Sequence, residues 1–272
     1  MLEISSKEDG QVGDNMAKLL ETIYTLWLRE ILRFTKSKSR LIGSGGQPLI
    51  WLAIVGVGFG AAIGALAGGV PYITFMAPGI IGMTILFSSI FAGINVIWDK
   101  QFGFLKEILV APVSRAGIVL GKVAGSATIA MVTAVIITVV VVGVGIIPLS
   151  DLTLIGMIEA VIFMILISCI FVSIGLIIAS YINNIEGFQV LINFLVLPLF
   201  FLSGALFPLT TAPTWMKGLS AIDPLRYGVD GLRGALIGIH TYPIWLDMVI
   251  VLGIAVGLII IADNAFIRIQ GK

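Results

Sequence analysis

The chain has 272 residues, of which 58% are hydrophobic and 11% are charged, and its formal net charge is +1. Its mean hydropathy of +1.12 excludes a soluble globular protein, because a soluble core of this size cannot enclose so much apolar surface. The composition therefore predicts a polytopic integral membrane protein. A single cysteine, Cys169, lies in an apolar run, so no internal disulfide can form and a small core residue is favoured.

The first 46 residues are predicted to lie outside the bilayer. Residues 1–15 contain several acids and no apolar core of a signal peptide, so we expect a mobile cytoplasmic tail. From Met16 to Phe34, apolar and basic residues recur on opposite faces at helical spacing, with Asp14 or Asn15 as the N-cap. Residues 16–46 are thus predicted to form an amphipathic helix in the cytoplasmic interface, followed by a bend. Packing of this helix on the rest of the protein is the alternative.

Six apolar runs of about 20 residues or more follow within residues 47–263, which we predict to be the membrane-spanning domain. The runs are continuous and do not alternate with polar residues, so they predict α-helices and not the strands of a barrel. The expected fold is an all-α integral membrane protein with six transmembrane helices. The predicted spans are Pro48–Gly69, Ala77–Ile97, Ile118–Ile147, Leu152–Ser180, Phe188–Phe207 and Ile244–Ala262.

Lysine and arginine are distributed unevenly among the segments that join these spans. Thirteen fall on the side of the N-terminus, and only Lys217, Arg226 and Arg233 fall on the other side. Such a bias marks the cytoplasmic side of a membrane protein. Both termini, including the C-terminal residues 264–272, and the segment 98–115 are therefore predicted to be cytoplasmic, in the cell membrane.

Glycines at four-residue spacing predict close helix packing. The stripe in the first span is matched by Gly121 and Gly125 at the start of the third span, and by Gly253 and Gly257 in the sixth. Such stripes serve packing within the chain or the seam of a dimer, and both interpretations stay open. The stripe in the first span consists of Gly56, Gly60, Gly64 and Gly68.

One acid, Glu159, falls well inside the fourth span, roughly 12 Å along the helix from Asp151. An intramembrane carboxylate is a candidate for a substrate pathway or a proton relay. The alternative, which we favour, is a side chain that bridges helices, with Asn193 in the fifth span as its partner.

Residues 207–240 contain too many charges to cross a bilayer. Pro213 suits the first turn of one short helix, and Asp223-Pro224 supplies an N-cap and an N1 proline for a second. In the second helix, an apolar face that includes Leu225 and Leu232 opposes a polar face. The segment therefore predicts an outer, re-entrant-like helical hairpin, half sunk in the leaflet, that acts as a gate or as a structural lid.

Motifs of catalysis and nucleotide binding are missing from the sequence. The glycines before Lys122 have the wrong spacing for a phosphate-binding loop, and no Ser or Thr follows the lysine. The single histidine, His240, excludes a metalloprotease motif. We predict no catalytic residue, no cofactor, no metal site and no nucleic-acid partner.

Between the second and third spans, residues 98–115 read WDKQFGFLKEILVAPVSR, a short charged segment between long apolar runs. This segment, followed by Gly121-Lys122, resembles the cytoplasmic loop of type-2 ABC exporter permeases, the group with drug-resistance and nodulation-factor permeases. The segment LSGALFP at residues 202–208, together with Asp223-Pro224-Leu225 and Arg233, resembles the signature of that family near the last span. Asp223 stands where the family usually has Asn.

The resemblance implies a function. Two six-span permeases pair, as a homodimer or a heterodimer, and each docks a coupling helix into an ATP-binding cassette ATPase subunit. In this chain the coupling residues would be Phe102, Leu105, Lys106, Glu107 and Leu109. The outer gate would comprise Pro208, Trp215, Asp223, Pro224, Arg226, Asp230 and Arg233.

The sequence analysis thus predicts the permease subunit of an exporter that moves a hydrophobic or amphiphilic substrate such as a drug, lipid or glycan. The subunit would not itself be an enzyme, because the ATPase would hydrolyse the ATP. The alternative is a proton-coupled secondary transporter or channel that uses Glu159.

Overall fold

The computed structural model describes residues 2–36, 46–63, 69–103 and 115–267. Within these ranges the protein is built from α-helices joined by short turns, and no β-strand occurs. The helices are α1 (Leu2–Thr35), α2 (46–63, with a π-helical turn at Leu52–Gly56), α3 (Tyr72–Ile90), α4 (Ala92–Gln101), α5 (Arg115–Gly143), α6 (Leu154–Tyr181), α7 (Ile185–Leu202), α8 (Thr214–Ser220), α9 (Pro224–Ile237) and α10 (Ile244–Ile267).

Five of the six predicted spans correspond to helices long and apolar enough to cross a membrane. These are Tyr72–Gln101, formed by α3 and α4 together, then Ala116–Gly143, Leu154–Tyr181, Ile185–Leu202 and Ile244–Phe266. The protein is therefore a multi-pass membrane protein. For the first predicted span, the structure has a shorter apolar helix at Gly46–Ala61, and residues 64–68 lie outside the described ranges. That span stays a prediction.

Helix α6 lies at the centre of the molecule and packs against α3, α4, α5, α9 and α10. Phe163, Ile167 and Phe171 in its middle are fully buried. Helix α7 packs more loosely, and side chains such as Val190 and Phe194 are exposed. In a membrane protein such exposed apolar side chains face lipid or another subunit and carry no aqueous penalty.

The N-terminal helix differs from its prediction. Helix α1 begins at Leu2 and not near residue 15, so most of the segment predicted as a tail is helical and neither Asp14 nor Asn15 is an N-cap. The helix packs along the first half of α5, where Gly121 faces Ile23 and Leu26. Packing on the protein was the alternative to an interfacial position, and the described contacts favour it.

The face that α1 turns to the protein coincides only in part with the predicted apolar face, Met16 to Phe34. Phe34 of that face is buried, and Ile23 and Trp27 lie against α5. Met16 and Leu20 of the predicted face are exposed, whereas Leu26 and Glu30 are buried. Periodicity separates an apolar face of this helix from a polar one. It does not predict which side chains pack against α5, because the residues of α5 are distant in the sequence.

The hairpin between α7 and α10 contains the two predicted helices, α8 and α9. Asp223 is the N-cap of α9, where its carboxylate accepts a hydrogen bond from the backbone N–H of Leu225, and Pro224 is the first helical residue. The predicted capping pattern is thus confirmed. Helix α9 ends at Gly238, whose φ of +70° lies in the left-handed region that favours glycine.

Helix α9 is buried on both faces, so the expected contrast between a buried apolar face and an exposed polar face does not hold for it. Its apolar residues are buried as expected, but Asp230 and Arg233 on the predicted polar face are buried too. The helix packs against α3, α6 and α10. Gly228 and Gly231 allow this approach, because a Cβ at either position would collide with Ile167 or Phe163 of α6.

Candidate functional sites at the two ends of the bundle

The first site is a cluster of charged side chains around Asp99, near the end of α4. Lys122 of α5 donates a hydrogen bond of 2.6 Å to Asp99 Oδ2, and Arg29 of α1 donates one of 3.0 Å to the same oxygen. Arg33, one turn after Arg29, approaches the other oxygen to 3.8 Å. Three helices are therefore joined at one carboxylate, which we call the Asp99 cluster together with its partners Arg29, Glu30, Arg33, Asn95 and Lys122.

Glu30 and Asn95 complete the cluster. The amide of Asn95 donates to Glu30 Oε2 at 3.3 Å, and Arg29 also contacts Glu30 Oε1 at 3.5 Å. Asn95 lies one turn before Asp99 on α4, so both side chains point toward α1. Gly125 of α5 lets α1 approach, because a Cβ there would lie 2.8 Å from the Cβ of Glu30.

The pair Asp99 and Lys122 is almost completely buried, with 1% and 2% of the side chains exposed. A buried ion pair adds little net stability, because removing both charges from water costs about as much as their attraction returns. Removing one partner is much more harmful, since it leaves the other charge buried and uncompensated. The cluster therefore ties α1, α4 and α5 to one another as a unit.

The neighbouring residues of α4 bind a third structural element, the end of α6. The ammonium group of Lys100 donates to the carbonyls of Ala179 and Ser180, at 2.6 and 3.1 Å, and Gln101 donates to the carbonyl of Asn183 at 3.0 Å. The last carbonyls of a helix have no partner within the helix, and a lysine there also complements the helix dipole.

Consequently, the start of the segment predicted to contact an ATPase is bound to α1, α5 and α6 through Asp99 and Lys100. Phe102 follows directly after α4 and is 70% exposed, with its ring edge-on to that of Trp98 at 6.4 Å. Gly103, at φ +78°, then turns the chain. The other predicted coupling residues, Leu105, Lys106, Glu107 and Leu109, lie outside the described residues.

The second site is at the hairpin end of the bundle, where the structure brings together three of the predicted gate residues. Arg233 donates to the carbonyls of Gly204 and Phe75, at 2.9 and 3.3 Å, and its guanidinium lies 3.9 Å from the centre of the Phe75 ring. Asp230 accepts hydrogen bonds from Thr241 and Tyr242. Arg226 donates to the hydroxyl of Tyr242 at 2.8 Å.

The other predicted gate residues have different surroundings. Pro208 precedes a 3-10 turn at Leu209–Thr211 and lines a cavity with Arg226, Asp230 and Arg233. Trp215 of α8 is 66% exposed and points away from the protein interior. Asp223 and Pro224 act as the start of α9, as described above.

Burial changes the ionisation of two of these side chains. It raises the pKa of Asp223 to about 7, although the N–H of Leu225 and the charge of Arg226 act in the opposite direction. It lowers the pKa of Arg233 to about 10, against the opposing influence of Asp230. Arg233 remains charged at neutral pH, whereas Asp223 is close to half protonated.

Glu159 and Asn193 are not brought together. Asn193 is exposed on α7, and Glu159 is partly buried on α6, two helices that pack against other elements rather than against each other. Among the residues that the structure describes, no hydrogen bond links the two side chains. The described structure therefore does not contain the predicted bridge between them.

The predicted glycine stripe in α2 has only one close contact among its described members. A Cβ at Gly56 would lie 3.0 Å from Ile73, whereas a Cβ at Gly60 would meet no atom within 4 Å. Gly64 and Gly68 lie outside the described residues. The stripe of Gly121 and Gly125 is the one that packs within the chain, against α1.

Sequence reasoning did not single out the Asp99 cluster. A signal existed, because Lys122 is an isolated charge in an otherwise apolar stretch, and such charges are usually paired in membrane proteins. Which charges pair with which is not readable from one sequence, because Arg29 and Asp99 are 70 positions apart.

A cavity of about 380 Å³ adjoins the cluster. It lies between α1, α2, α3, α4 and α5, and its wall is mostly apolar, with Met83, Phe87 and Phe91 among the lining residues. Asn95 and Ser126 supply polar groups. Its size and wall suit an apolar ligand or part of one.

Comparison with known proteins agrees with the fold and the motifs. A family model described as ABC-2 type transporter matches residues 21–237. A putative transport permease, ycf38, of Pyropia yezoensis is 29% identical over 220 residues, which cover 79% of this chain and 74% of the relative.

Two bacterial proteins are similarly related. The inner membrane transport permease YadH of Escherichia coli K12 is 24% identical over 231 residues, covering 81% of this chain and 84% of its own length. Nodulation protein J of Rhizobium meliloti strain 1021 is 27% identical over 223 residues, covering 78% and 80%. The family model, which matches residues 21–237, covers the chain from within α1 to the end of α9 and so includes both the Asp99 cluster and the hairpin.

Proposed function

Because the chain belongs to the ABC-2 type transporter family, we propose that it is the membrane subunit of an ATP-driven exporter, and that a separate ATP-binding subunit hydrolyses the ATP. The observation that carries this proposal is how the start of the segment 98–115 is held: the Asp99 cluster joins it to α1 and α5, and Lys100 joins it to α6. A segment that receives force must be joined rigidly to the helices that it moves.

Force applied at this segment would reach three helices together. Movement of α4 would pull α1 and α5 through Asp99, and α6 through Lys100. Helix α6 also packs against α9 of the hairpin. This sequence of contacts supports transmission from the segment 98–115 to the hairpin, with the hairpin as the gate on the opposite side of the membrane.

The proposed orientation puts the Asp99 cluster on the cytoplasmic side of the cell membrane. It rests on the excess of lysine and arginine in segments at that end. In this orientation the cavity of about 380 Å³ lies toward the inner leaflet, which supports a hydrophobic or amphiphilic cargo such as a drug, a lipid or a lipid-linked glycan.

We further propose that two copies pair in the working transporter. Helices α2, α7 and α10 expose many apolar side chains, and a Cβ at Gly60, Gly253 or Gly257 would meet nothing within 4 Å. These small, unpacked positions are available for a second subunit or for lipid.

The test is transport by the purified chain in liposomes, with and without its co-expressed ATP-binding subunit. The proposal requires transport only with the ATPase and ATP. Transport without the ATPase, driven by a proton gradient and abolished by Glu159→Gln, would establish the alternative of a secondary transporter.

A paired variant tests the predicted contact surface. Glu107→Lys with Leu105→Ala should abolish co-purification of the ATPase and reduce transport to background. The matched control is Asp151→Lys with Leu149→Ala. It also reverses the charge of an acid and truncates a leucine two residues before it, but in an exposed turn at the opposite end of the helical bundle. Unchanged co-purification in the first variant would contradict the assignment.

A further inference from the structure

The hairpin end contains a second cavity, of about 660 Å³, to which the transport proposal assigns no ligand. It lies between the start of α3, the turn after α7, and helices α8 and α9. Lys217, Arg226 and Arg233 line it, together with Asp230 and His240. Three cations therefore share one cavity with one acid.

None of these cations forms a salt bridge with a carboxylate in the described part of the chain. Lys217 donates to the carbonyl of Thr210 at 2.7 Å, and Arg226 donates to the hydroxyl of Tyr242 at 2.8 Å. Arg233 donates to two backbone carbonyls. All of these hydrogen-bond acceptors are neutral. The acids that act on the cations, Asp230 on Arg233 and Asp223 on Arg226, do so through space and without a direct ion pair.

Asp230 is already engaged with groups other than the cations. Its oxygens accept hydrogen bonds from the backbone N–H groups of Thr241 and Tyr242, at 2.8 and 3.0 Å, and from the Thr241 hydroxyl at 3.0 Å. Asp223 and Asp247 lie nearby but are 2% and 0% exposed and do not line the cavity. The groups that do line it carry a net charge of +2.

The surroundings of the cavity resemble the headgroup layer of a bilayer. Trp215 of α8 and Trp245 at the start of α10 are both about two-thirds exposed, and the neighbouring apolar residues Leu219 and Ile222 are exposed as well. Exposed tryptophans are typical of the membrane–water interface, where the phosphates of lipids lie. The cations are thus at the depth at which anionic groups are found.

We propose that this cavity is a binding site for a phosphate group, with Lys217 and Arg226 as the contacting cations and Arg233 as a fixed charge behind them. Phosphate is the anion that lysine and arginine bind best, by charge-assisted hydrogen bonds. It comes from one of two sources, the headgroup of an anionic lipid or a soluble phosphate. The proposal does not depend on ATP-driven transport.

The experiment uses the full chain in nanodiscs of phosphatidylcholine, alone or with phosphatidylglycerol, and counts retained lipids by native mass spectrometry. A second arm titrates inorganic phosphate into the phosphatidylcholine sample by calorimetry. The test variant is Lys217→Gln with Arg226→Gln. Its control, Lys217→Arg with Arg226→Lys, keeps both charges.

We expect the wild type to prefer phosphatidylglycerol, the Gln variant to lose that preference by roughly tenfold, and the control to retain most of it. Binding of inorganic phosphate without a lipid preference, lost in the same variant, would support the site and assign it to a soluble ligand. Equal binding by the wild type and the Gln variant, or no binding of either probe, would overturn the proposal. If the double variant does not fold, Lys217→Gln alone decides, since this side chain is exposed.

Discussion

Asp99 is a buried acid near the end of α4, and its charge can be buried there because cations lie beside it. Its carboxylate lies within hydrogen-bonding distance of Lys122 and Arg29, and its buried charge needs those cations. At the other end Asp230 is satisfied differently, because it accepts hydrogen bonds from two backbone N–H groups in the turn before α10. At the scale of single residues, the buried acids act as connectors between helices.

The first prediction concerns this buried charge. Asp99→Asn should destabilise the protein by about 3–5 kcal/mol, because Lys122 would remain buried without a counter-charge. Adding Lys122→Met to the variant should recover much of the loss. Thermal unfolding in detergent measures both effects.

Asp151→Asn serves as the control for this series, because Asp151 is exposed and its carboxylate accepts a hydrogen bond from the adjacent Ser150 rather than from a buried cation. Its effect should be close to zero. Equal midpoints for Asp99→Asn and Asp151→Asn would show that the cluster does not stabilise the fold.

The second prediction concerns pH. Burial raises the pKa of Asp223 to about 7, well above its value in the unfolded chain, so between about pH 4 and 7 the folded state keeps a proton that the unfolded state has lost. Stability contributed by the protonated carboxyl is therefore present at low pH and falls as the pH rises to 7, by roughly 2 kcal/mol from pH 5 to 8.

Asp223→Asn removes this titration but keeps an oxygen that can accept the hydrogen bond of Leu225. Unfolding midpoints of this variant should depend less on pH than those of the wild type between pH 5 and 8. Asp223→Ala should lose about 1 kcal/mol at every pH, because it removes the cap. Parallel pH profiles for the wild type and Asp223→Asn would refute the assignment.

At the scale of the helices, the contact between α1 and α5 determines whether the N-terminal helix belongs to the helical bundle. Gly121 and Gly125 bring the two backbones together, and the indole of Trp27 donates to the Thr128 hydroxyl at 3.1 Å. The amphipathic helix is thereby part of the bundle and not only an attachment to the membrane surface.

The third prediction tests this contact. Gly121→Leu should push α1 from α5, because even a Cβ would lie 2.9 Å from Leu26, and overpacking of this kind costs about 1–3 kcal/mol. In a Cys169→Ala background, oxidative cross-linking of Trp27→Cys to Thr128→Cys should fall sharply. Gly257→Leu is the matched control, since a Cβ there meets nothing within 4 Å; an equal loss of cross-linking in both would contradict the packing argument.

Much of the helical framework was predictable, because hydropathy and capping residues are local properties. The fourth span was predicted at Leu152–Ser180 and α6 covers Leu154–Tyr181, where Thr153 caps the helix. The start of α9 followed from Asp223-Pro224. By contrast, the buried polar face of α9 depends on N–H groups eleven and twelve residues away, and no periodicity reveals such partners.

At the scale of the whole molecule, the two sites lie at opposite ends of the path formed by α3 and α4. Phe75 contacts Arg233 at one end and Asp99 joins its cluster at the other, roughly 36 Å apart at 1.5 Å per residue. This path is longer than the hydrocarbon core of a bilayer, about 30 Å, so we expect the two sites to lie on opposite sides of the membrane.

The fourth prediction concerns that orientation. In a Cys169→Ala background, Lys217→Cys should react with an impermeant maleimide added to intact cells, because the hairpin is proposed to face outward. Lys36→Cys, an exposed residue after α1, should react only after the membrane is permeabilised. The reverse pattern of labelling would invert the proposed topology.

The order of residues in the Asp99 cluster also bears on how the protein is made. During synthesis Arg29 and Arg33 leave the ribosome long before Asp99, whereas Lys122 follows 23 residues later. The charge of Asp99 can therefore be neutralised by Arg29 and Arg33 of α1 while α5 is still being translated. We expect α1 to act as a temporary counter-ion during membrane insertion, so a chain without it would leave Asp99 unpaired when its helix enters the bilayer.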